Sequence, residues 1–227
     1  MVHKTTSSAD AQARSRARVR RAPDPSERLR DAERSRQRIL DAAIAEFSEK
    51  GYAGSRVRAI AERAGVNSQL ISYYFGGKEG LYQEIMRRWH EQEAQLEQHI
   101  EQQGLSFADL CDAYFRAMRA QPELTRILVW DGLNQTSPVP ARPIGEGSEP
   151  PEVGDLRRRQ ACGEIAADLD PAYLLITLMG AAIAPVTMPQ QIEHLCGLRA
   201  DSEDFGKAFA EQVRLILGHL SGNRPAT

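Results

Sequence analysis

Residues 55–75 read SRVRAIAERAGVNSQLISYYF and predict two short helices joined by a tight turn. Val57, Ile60 and Ala61 recur at helical spacing, and Gly65 follows where a turn requires the left-handed conformation that glycine adopts most easily. Asn67 is then predicted to cap the second helix. Two short helices around a glycine turn are typical of a helix-turn-helix, whose second helix lies in the major groove of DNA.

The outward face of the second predicted helix carries short polar groups and one aromatic ring. Ser68, Gln69, Ser72 and Tyr73 can reach base edges or phosphates. A helix face that serves only solubility would more often carry Glu and Lys. Ser55 is predicted to cap the first helix of the pair. This segment is therefore predicted to contact DNA.

Sequence on both sides of the pair also predicts helices. Apolar residues between Glu33 and Gly51 fall on one helical face, and a long helix is predicted to start at Lys78. Further helices are predicted from Ser106, Pro122, Asp155, Asp170 and Ser202. Because no alternating strand pattern of useful length occurs, the predicted fold class is all-α.

Charge divides the chain unevenly. The net charge is -2, but residues 1–90 hold 18 Lys and Arg against 11 Asp and Glu, whereas residues 91–227 hold 11 against 20. Residues 1–30 are predicted to be a disordered basic arm because they contain few large apolar side chains. We predict a DNA-binding domain over 33–93, with its motif at about 56–75, and a helical regulatory and dimerisation domain over 94–222. Its proline-rich stretch at about 135–152 is predicted to be a mobile loop.

Several classes of protein are disfavoured by the sequence. No apolar run is long enough to predict a membrane span, and residues 1–30 do not resemble a secretory signal. Three widely spaced cysteines favour a reducing, cytoplasmic setting, with nucleoid association when the protein is bound to DNA. We find no catalytic motif, no cofactor-binding glycine loop and no metal-ligand spacing around His194 and Cys196. The protein is therefore predicted not to be an enzyme and to hold no metal or cofactor.

The segment from Arg36 to Glu84 resembles the DNA-binding domain of the tetracycline-repressor (TetR) family of bacterial transcriptional regulators. The resemblance rests on three stretches, which are Gly51-Tyr52, Ile60-Ala61-x-x-Ala64-Gly65-Val66, and Tyr73-Tyr74-Phe75 followed by Lys78-Glu79-x-Leu81. Beyond about residue 95 it is a resemblance of architecture only. It implies a regulator, commonly a repressor, that binds a palindromic double-stranded DNA operator as a homodimer and is released by a small-molecule effector.

The resemblance also implies roles for individual residues. Phosphate contacts are implied for Ser55, Tyr73, Tyr74 and Lys78, and base contacts for Ser68, Gln69 and Ser72. Many family members carry Lys and then Gly at the positions of Ser68 and Gln69, and Tyr at that of Ser72. Because this recognition helix is uncharged, Arg56, Arg58 or the arm is expected to supply more of the attraction to phosphates. Packing of one tyrosine beneath Phe75 is the alternative to its contact with DNA.

Expectations for the regulatory domain are less specific. The last two helices are predicted to form the dimer surface, although both could instead be internal core. Large adaptable side chains that could line an apolar effector pocket are Tyr114, Phe115, Met118, Trp130 and Met179. Ordinary core packing is the alternative for each of them. The alternative function is that of an architectural DNA-binding protein with little sequence preference and no ligand control.

Overall fold

The structure is a computed structural model that describes residues 25–134 and 149–221, and every regular element within those ranges is an α-helix. The all-α prediction is therefore confirmed. The helices are α1 (Pro25–Gly54), α2 (Val57–Ala64), α3 (Ser68–Phe75), α4 (Lys78–Gln103), α5 (Phe107–Ala120), α6 (Pro122–Asn134), α7 (Pro151–Ala161), α8 (Pro171–Thr187), α9 (Pro189–Cys196) and α10 (Glu203–His219).

The first helix begins earlier than the sequence predicts. α1 starts at Pro25, so the prediction that residues 1–30 are disordered is wrong for residues 25–30; residues 1–24 of the predicted arm lie outside the described ranges. Proline fits the first helical position, and the Arg- and Glu-rich run that follows has good helix propensity despite its low hydrophobicity. The helical conformation breaks at Gly51, which has φ 68° and ψ 173°.

One hydrophobic core holds α1 to α4 together. Its largest fully buried side chains come from all four helices, and α6 adds Ile127, which is 1% exposed. Full burial of a side chain of this size contributes about 1.5–3 kcal/mol relative to exposure. The members of this core from α1 to α4 include Ile39, Leu40, Phe47, Ile60, Ile71, Leu81 and Tyr82. A helix from the predicted regulatory half therefore completes the core of the DNA-binding half.

A second hydrophobic core joins α5, α7, α8 and α10. Phe115 of α5 lies 5.5 Å from Phe209 of α10 between ring centroids, and Phe209 stacks on Phe205 at 5.3 Å. Capping side chains start three of the surrounding helices as predicted. Ser106, Asp170 and Ser202 each accept a hydrogen bond from a backbone N–H in the first turn of the following helix.

Boundaries near the predicted loop require correction. α7 begins at Pro151, inside the loop predicted for 135–152, and it ends at Ala161 rather than near Ile165; residues 135–148 of that loop lie outside the described ranges. The helix α9 was not predicted. It follows α8 after a bend of 94° and ends at Gly197 in the left-handed conformation, with φ 68°.

Two features of residues 25–134 and 149–221 concern membranes and metal ions. No single helix there is both long and apolar enough to cross a membrane, and only the bent pair α8–α9 meets those criteria of length and composition when its two parts are joined. Within 25–134 and 149–221, no group of three or more His, Cys, Asp or Glu side chains is arranged to hold a metal ion.

Candidate nucleic-acid interface

The turn between α2 and α3 is built on Gly65. This residue has φ 64° and ψ 40°, and its N–H donates to the Glu62 carbonyl at 3.1 Å. The Val66 N–H donates to the Ala61 carbonyl at 3.0 Å, which closes the end of α2. From α1, the Arg38 guanidinium donates to the Gly65 carbonyl at 3.4 Å. The turn is therefore held both by its own backbone and by α1.

A charged contact fixes α2 on α1. The Arg63 guanidinium donates to both carboxylate oxygens of Glu49, at 2.9 and 3.0 Å. Both bonds come from one guanidinium nitrogen, which lies between the two carboxylate oxygens. The pair is partly exposed and adds only a modest amount to stability.

The start of α2 differs from the prediction. Its N-cap position is Arg56, which makes no side-chain cap, and the Ser55 hydroxyl donates instead to the Tyr52 carbonyl at 2.8 Å. The prediction that Ser55 caps α2 is therefore wrong. The hydrogen bond to Tyr52 directs the Ser55 hydroxyl back toward α1. Ser55 is 4% exposed and its hydroxyl is already bonded, and its implied phosphate contact stays a prediction.

The recognition helix α3 is anchored at both ends. Asn67 caps it as predicted, because its side-chain oxygen accepts a hydrogen bond from the Gln69 N–H at 2.9 Å. Ile71 and Phe75 are buried in the first core. The helix ends at Gly76, which has φ 74°. These contacts hold the opposite face of α3 in a defined orientation.

That opposite face is exposed. Ser68, Gln69 and Ser72 lie on it, and Tyr73 is 79% exposed. Tyr74 is half-buried against the first core, with its ring edge-on to that of Tyr73 at an interplanar angle of 71° and a centroid distance of 5.0 Å. The alternative of packing therefore describes Tyr74 better than Tyr73. Contacts of these residues with DNA stay predictions.

The three cations predicted to reach phosphates differ in how strongly neighbouring side chains hold them in place. Arg56 is exposed and takes part in no ion pair among the described residues. Arg58 is exposed but donates to Glu62 at 2.8 Å, and this hydrogen bond raises the pKa of its guanidinium. Lys78 lies with its Nζ 4.4 Å from the centroid of the Tyr52 ring, and burial lowers its pKa although Glu46 opposes that effect. Arg56 is thus the least constrained of the three.

A charged junction centred on Glu84 was not predicted from the sequence. This carboxylate of α4 accepts hydrogen bonds from Arg36 of α1 at 3.2 Å, from Arg87 at 2.9 Å and from Arg88 at 3.0 Å. The hydrogen bonds from Arg87 and Arg88 lower the pKa of Glu84 to about 2 against the effect of burial. Arg36 also lies 5.4 Å above the ring of Phe75, at the end of α3. The i, i+3 and i, i+4 spacing of the two α4 arginines is a visible signal, but the partner on α1 is not.

The residues predicted to line an effector pocket do not form one cluster. Phe115 is buried in the second core, where Met118 is partly buried, and Tyr114 is half-buried on the same helix. Trp130 instead contacts α1, where its indole N–H donates to the Ser48 carbonyl at 3.1 Å. Met179 is 66% exposed on α8. Helical spacing places side chains on a face, but it does not identify what that face meets.

Large apolar side chains are exposed on both α8 and α10. Five large side chains on these two helices are each more than half exposed, and we call them the α8–α10 face. They are Tyr173, Ile176, Met179, Leu215 and Ile216. Exposed apolar side chains that lie together mark interaction surfaces.

A helix-turn-helix with a polar recognition face, joined to a separate helical core, defines the class of DNA-binding transcriptional regulators with a regulatory domain. Comparison with known protein families supports this class. The family model described as bacterial regulatory proteins, tetR family, matches residues 39–85, and the tetracyclin repressor-like C-terminal domain matches residues 107–214.

Individual relatives extend the match over most of the chain. The HTH-type transcriptional repressor SCO4008 of Streptomyces coelicolor is 30% identical over 169 residues, which cover 74% of this chain and 86% of that protein. The repressor NicS of Pseudomonas putida is 31% identical over 48% of this chain and 53% of its own length. The crystal structure of the regulator SCO4942 from S. coelicolor superposes with a TM-score of 0.61 at 25% identity, over 84% of this chain and 99% of that one.

The chain belongs to the TetR family of bacterial regulatory proteins. The family is regulatory and DNA-binding rather than catalytic.

Proposed function

We propose that the protein is a repressor that binds a palindromic operator as a homodimer and is released by a small-molecule effector. The observation that carries the proposal is the exposed, uncharged face of α3, formed by Ser68, Gln69, Ser72 and Tyr73 on a helix anchored at both ends. Polar groups held rigidly in this way can read base edges in the major groove. The names of the relatives SCO4008 and NicS, both repressors, support the direction of regulation.

Selection from a pool of randomised duplexes tests operator binding. We expect one palindrome to be enriched and to bind, by fluorescence anisotropy, at least about 10³-fold more tightly than a scrambled duplex at physiological salt. Footprinting on DNA that flanks the gene should protect the same sequence. Similar affinity for every duplex, with a steep salt dependence, would instead support the architectural alternative.

The α8–α10 face supports the proposal that the protein is a dimer. A palindrome has two half-sites about one helical turn apart, so two recognition helices are needed to occupy it. Ile176 and Ile216 are 63% and 56% exposed on this face. The variant Ile176→Glu/Ile216→Glu should sediment as a monomer at concentrations where the natural chain is a dimer. Leu29→Glu, which places the same charge at a leucine of α1 that is 72% exposed, is the control and should remain dimeric.

The effector is proposed to be a small apolar or amphipathic compound that enters near Tyr114, Phe115 and Met118 on α5. A ligand shifts the protein between two arrangements only if it binds one of them more tightly. A compound screen by thermal shift should therefore yield a ligand that stabilises the protein and weakens operator binding. Ligands that all raise the melting temperature while operator affinity stays constant would contradict this part of the proposal.

A further inference from the structure

Helix α6 connects the two halves of the molecule, and its last turn forms hydrogen bonds with the DNA-binding half at two points. The indole N–H of Trp130 donates to the Ser48 carbonyl of α1 at 3.1 Å. The hydroxyl of the fully buried Tyr82, on α4, donates to the carboxylate of Asp131. We call these two contacts, together with the packing of Trp130 on Gly51, the α6 clasp.

Gly51 makes the clasp possible. A Cβ on this residue would lie 3.2 Å from Cδ2 of Trp130 and 3.3 Å from Cε3 and Cγ, which is closer than most side-chain contacts and would require the indole to shift. Its φ of 68° is also a conformation that residues with a side chain rarely adopt. The absence of a side chain therefore permits the indole to approach the end of α1 closely.

Further contacts along α6 restrict rotation of this helix about its axis. Ile127 is buried in the first core, with Leu124 and Leu128 packed beside it. At the start of the helix the hydroxyl of Thr125, which is fully buried, lies 3.2 Å from the Met118 carbonyl of α5 and donates to it. The same helix is therefore fixed to the regulatory half at its beginning and to the DNA-binding half at its end.

α6 also packs against α8, which carries part of the α8–α10 face. The route from the proposed dimer surface to the recognition helix thus passes through α8 and α6 and then through α1 and α4, which share the first core with α3. In a dimer, each DNA-binding half would be set in place relative to its partner through this route.

We infer that the α6 clasp, with Trp130 as its central positioning residue, sets the separation of operator half-sites that the dimer accepts. The inference rests on the proposed dimeric, palindrome-binding function. A spacer longer by one base pair moves a half-site by about 3.4 Å along the DNA and turns it by about 35°. A rigid clasp resists this displacement, whereas a loosened clasp allows the DNA-binding half to follow it.

The test compares the affinity of the protein for operators that differ in spacer length. The palindrome selected with the natural chain is prepared with its spacer unchanged, one base pair longer and one base pair shorter, and dissociation constants are measured by fluorescence anisotropy. For the natural chain we expect each altered spacer to weaken binding at least about tenfold. For Trp130→Leu we expect that penalty to fall to about threefold or less. Trp130→Phe, which keeps an aromatic ring against Gly51, should retain most of the discrimination.

Leu133→Ala is the matched control, because Leu133 lies on the same helix and is 73% exposed. It should discriminate between spacers as the natural chain does. If Trp130→Leu fails to fold, Tyr82→Phe removes a single hydroxyl from the clasp and should still reduce the penalty measurably. A folded Trp130→Leu, or in its place Tyr82→Phe, that discriminates as strongly as the natural chain would overturn the inference. Failure of the selection to enrich any palindrome would instead overturn the proposed function.

Discussion

At the scale of single residues, Glu84 is a carboxylate whose charge stabilises the fold. It joins α1 to α4 through Arg36, Arg87 and Arg88, and its folded pKa of about 2 lies below the ordinary value of 4.5. Stability from this group is therefore fully present above pH 4.5 and is lost as the pH falls toward 2. Glu84→Gln should lower the free energy of unfolding at pH 7 by about 2 kcal/mol.

Urea denaturation at pH 7 and at pH 3 measures this effect. The difference between the natural chain and Glu84→Gln should be smaller at pH 3, because Glu84 binds a proton there in the unfolded chain but keeps its charge in the folded one. Glu91→Gln is a suitable control, because Glu91 is more than half exposed and bonds only to Arg87 within the described residues. An equal difference at the two pH values would show that the Glu84 charge does not contribute as described.

Gln69 is the residue of α3 that we expect to contact a base most directly. It is exposed on α3, and its side-chain amide has the donor and acceptor that pair with adenine. Gln69→Ala should cost about 1–3 kcal/mol of operator binding and relax the preference at one base pair of each half-site. Repeating the selection with the variant reveals the change.

Arg56→Gln provides the contrast with Gln69→Ala. Arg56 is exposed just before α2, and a phosphate contact would not depend on sequence. This variant should weaken all duplexes to a similar degree and lower the salt slope by about one. A loss of preference at one base pair in Arg56→Gln, or a uniform loss in Gln69→Ala, would reverse the two assignments.

At the scale of elements, the cap of α3 determines how well the recognition helix is formed. Asn67 accepts the Gln69 N–H, and without it an orphan donor remains at the start of an eight-residue helix. Asn67→Ala should lower stability by about 1 kcal/mol, and Asn67→Ser should lose much less. Thermal unfolding monitored by circular dichroism tests the first effect. Operator affinity should fall in the same order, and equal stability of the two variants would rule out a capping role.

Predictability from sequence differed among the elements for physical reasons. Caps at Asn67, Ser106, Asp170 and Ser202 were predictable because a side-chain oxygen beside a helix start has a local partner. The cap at Ser55 was predicted wrongly. The chain makes a further short turn after the break at Gly51, and the Ser55 hydroxyl bonds to the Tyr52 carbonyl within it. The helix α9 was missed because it is short and has no buried residue, so it carries no clear core-facing stripe.

The candidate site was predictable only where its contacts are local. The exposed face of α3 follows from the spacing of Ile71 and Phe75, which must turn inward. The destination of Trp130 does not follow, because helical spacing shows that it lies on a face of α6 but not that α1 receives it. Met179 lies on a helix that is apolar nearly all round, so its periodicity cannot separate the inner face from the outer one.

At the scale of the whole molecule, charge is separated along the chain. Residues 1–24 hold six Lys and Arg against two Asp and Glu, whereas residues 31–90, which include the motif, hold ten against eight. The motif is therefore nearly neutral, and its recognition helix carries no cation. The regulatory half is acidic, which disfavours its approach to phosphates and so favours one orientation on DNA.

Deletion of residues 1–24 tests whether attraction to DNA depends on the positive charge of this segment. Each phosphate neutralised by a cation contributes about 0.9 to the slope of log affinity against log salt concentration. Loss of several contacts should therefore lower that slope by about two to four and weaken operator binding at low salt more than at high salt. The ranking of operator sequences should stay unchanged, because base contacts belong to α3.

A variant of full length separates charge from length in this experiment. Replacement of the five clustered arginines by glutamine keeps the segment but removes its charge; they are Arg14, Arg16, Arg18, Arg20 and Arg21. It should reproduce the deletion, because counterion release depends on charge and not on chain length. An unchanged salt slope in both variants would assign the attraction to Arg56, Arg58 and Lys78, and the recognition domain would then bind its operator without help from residues 1–24.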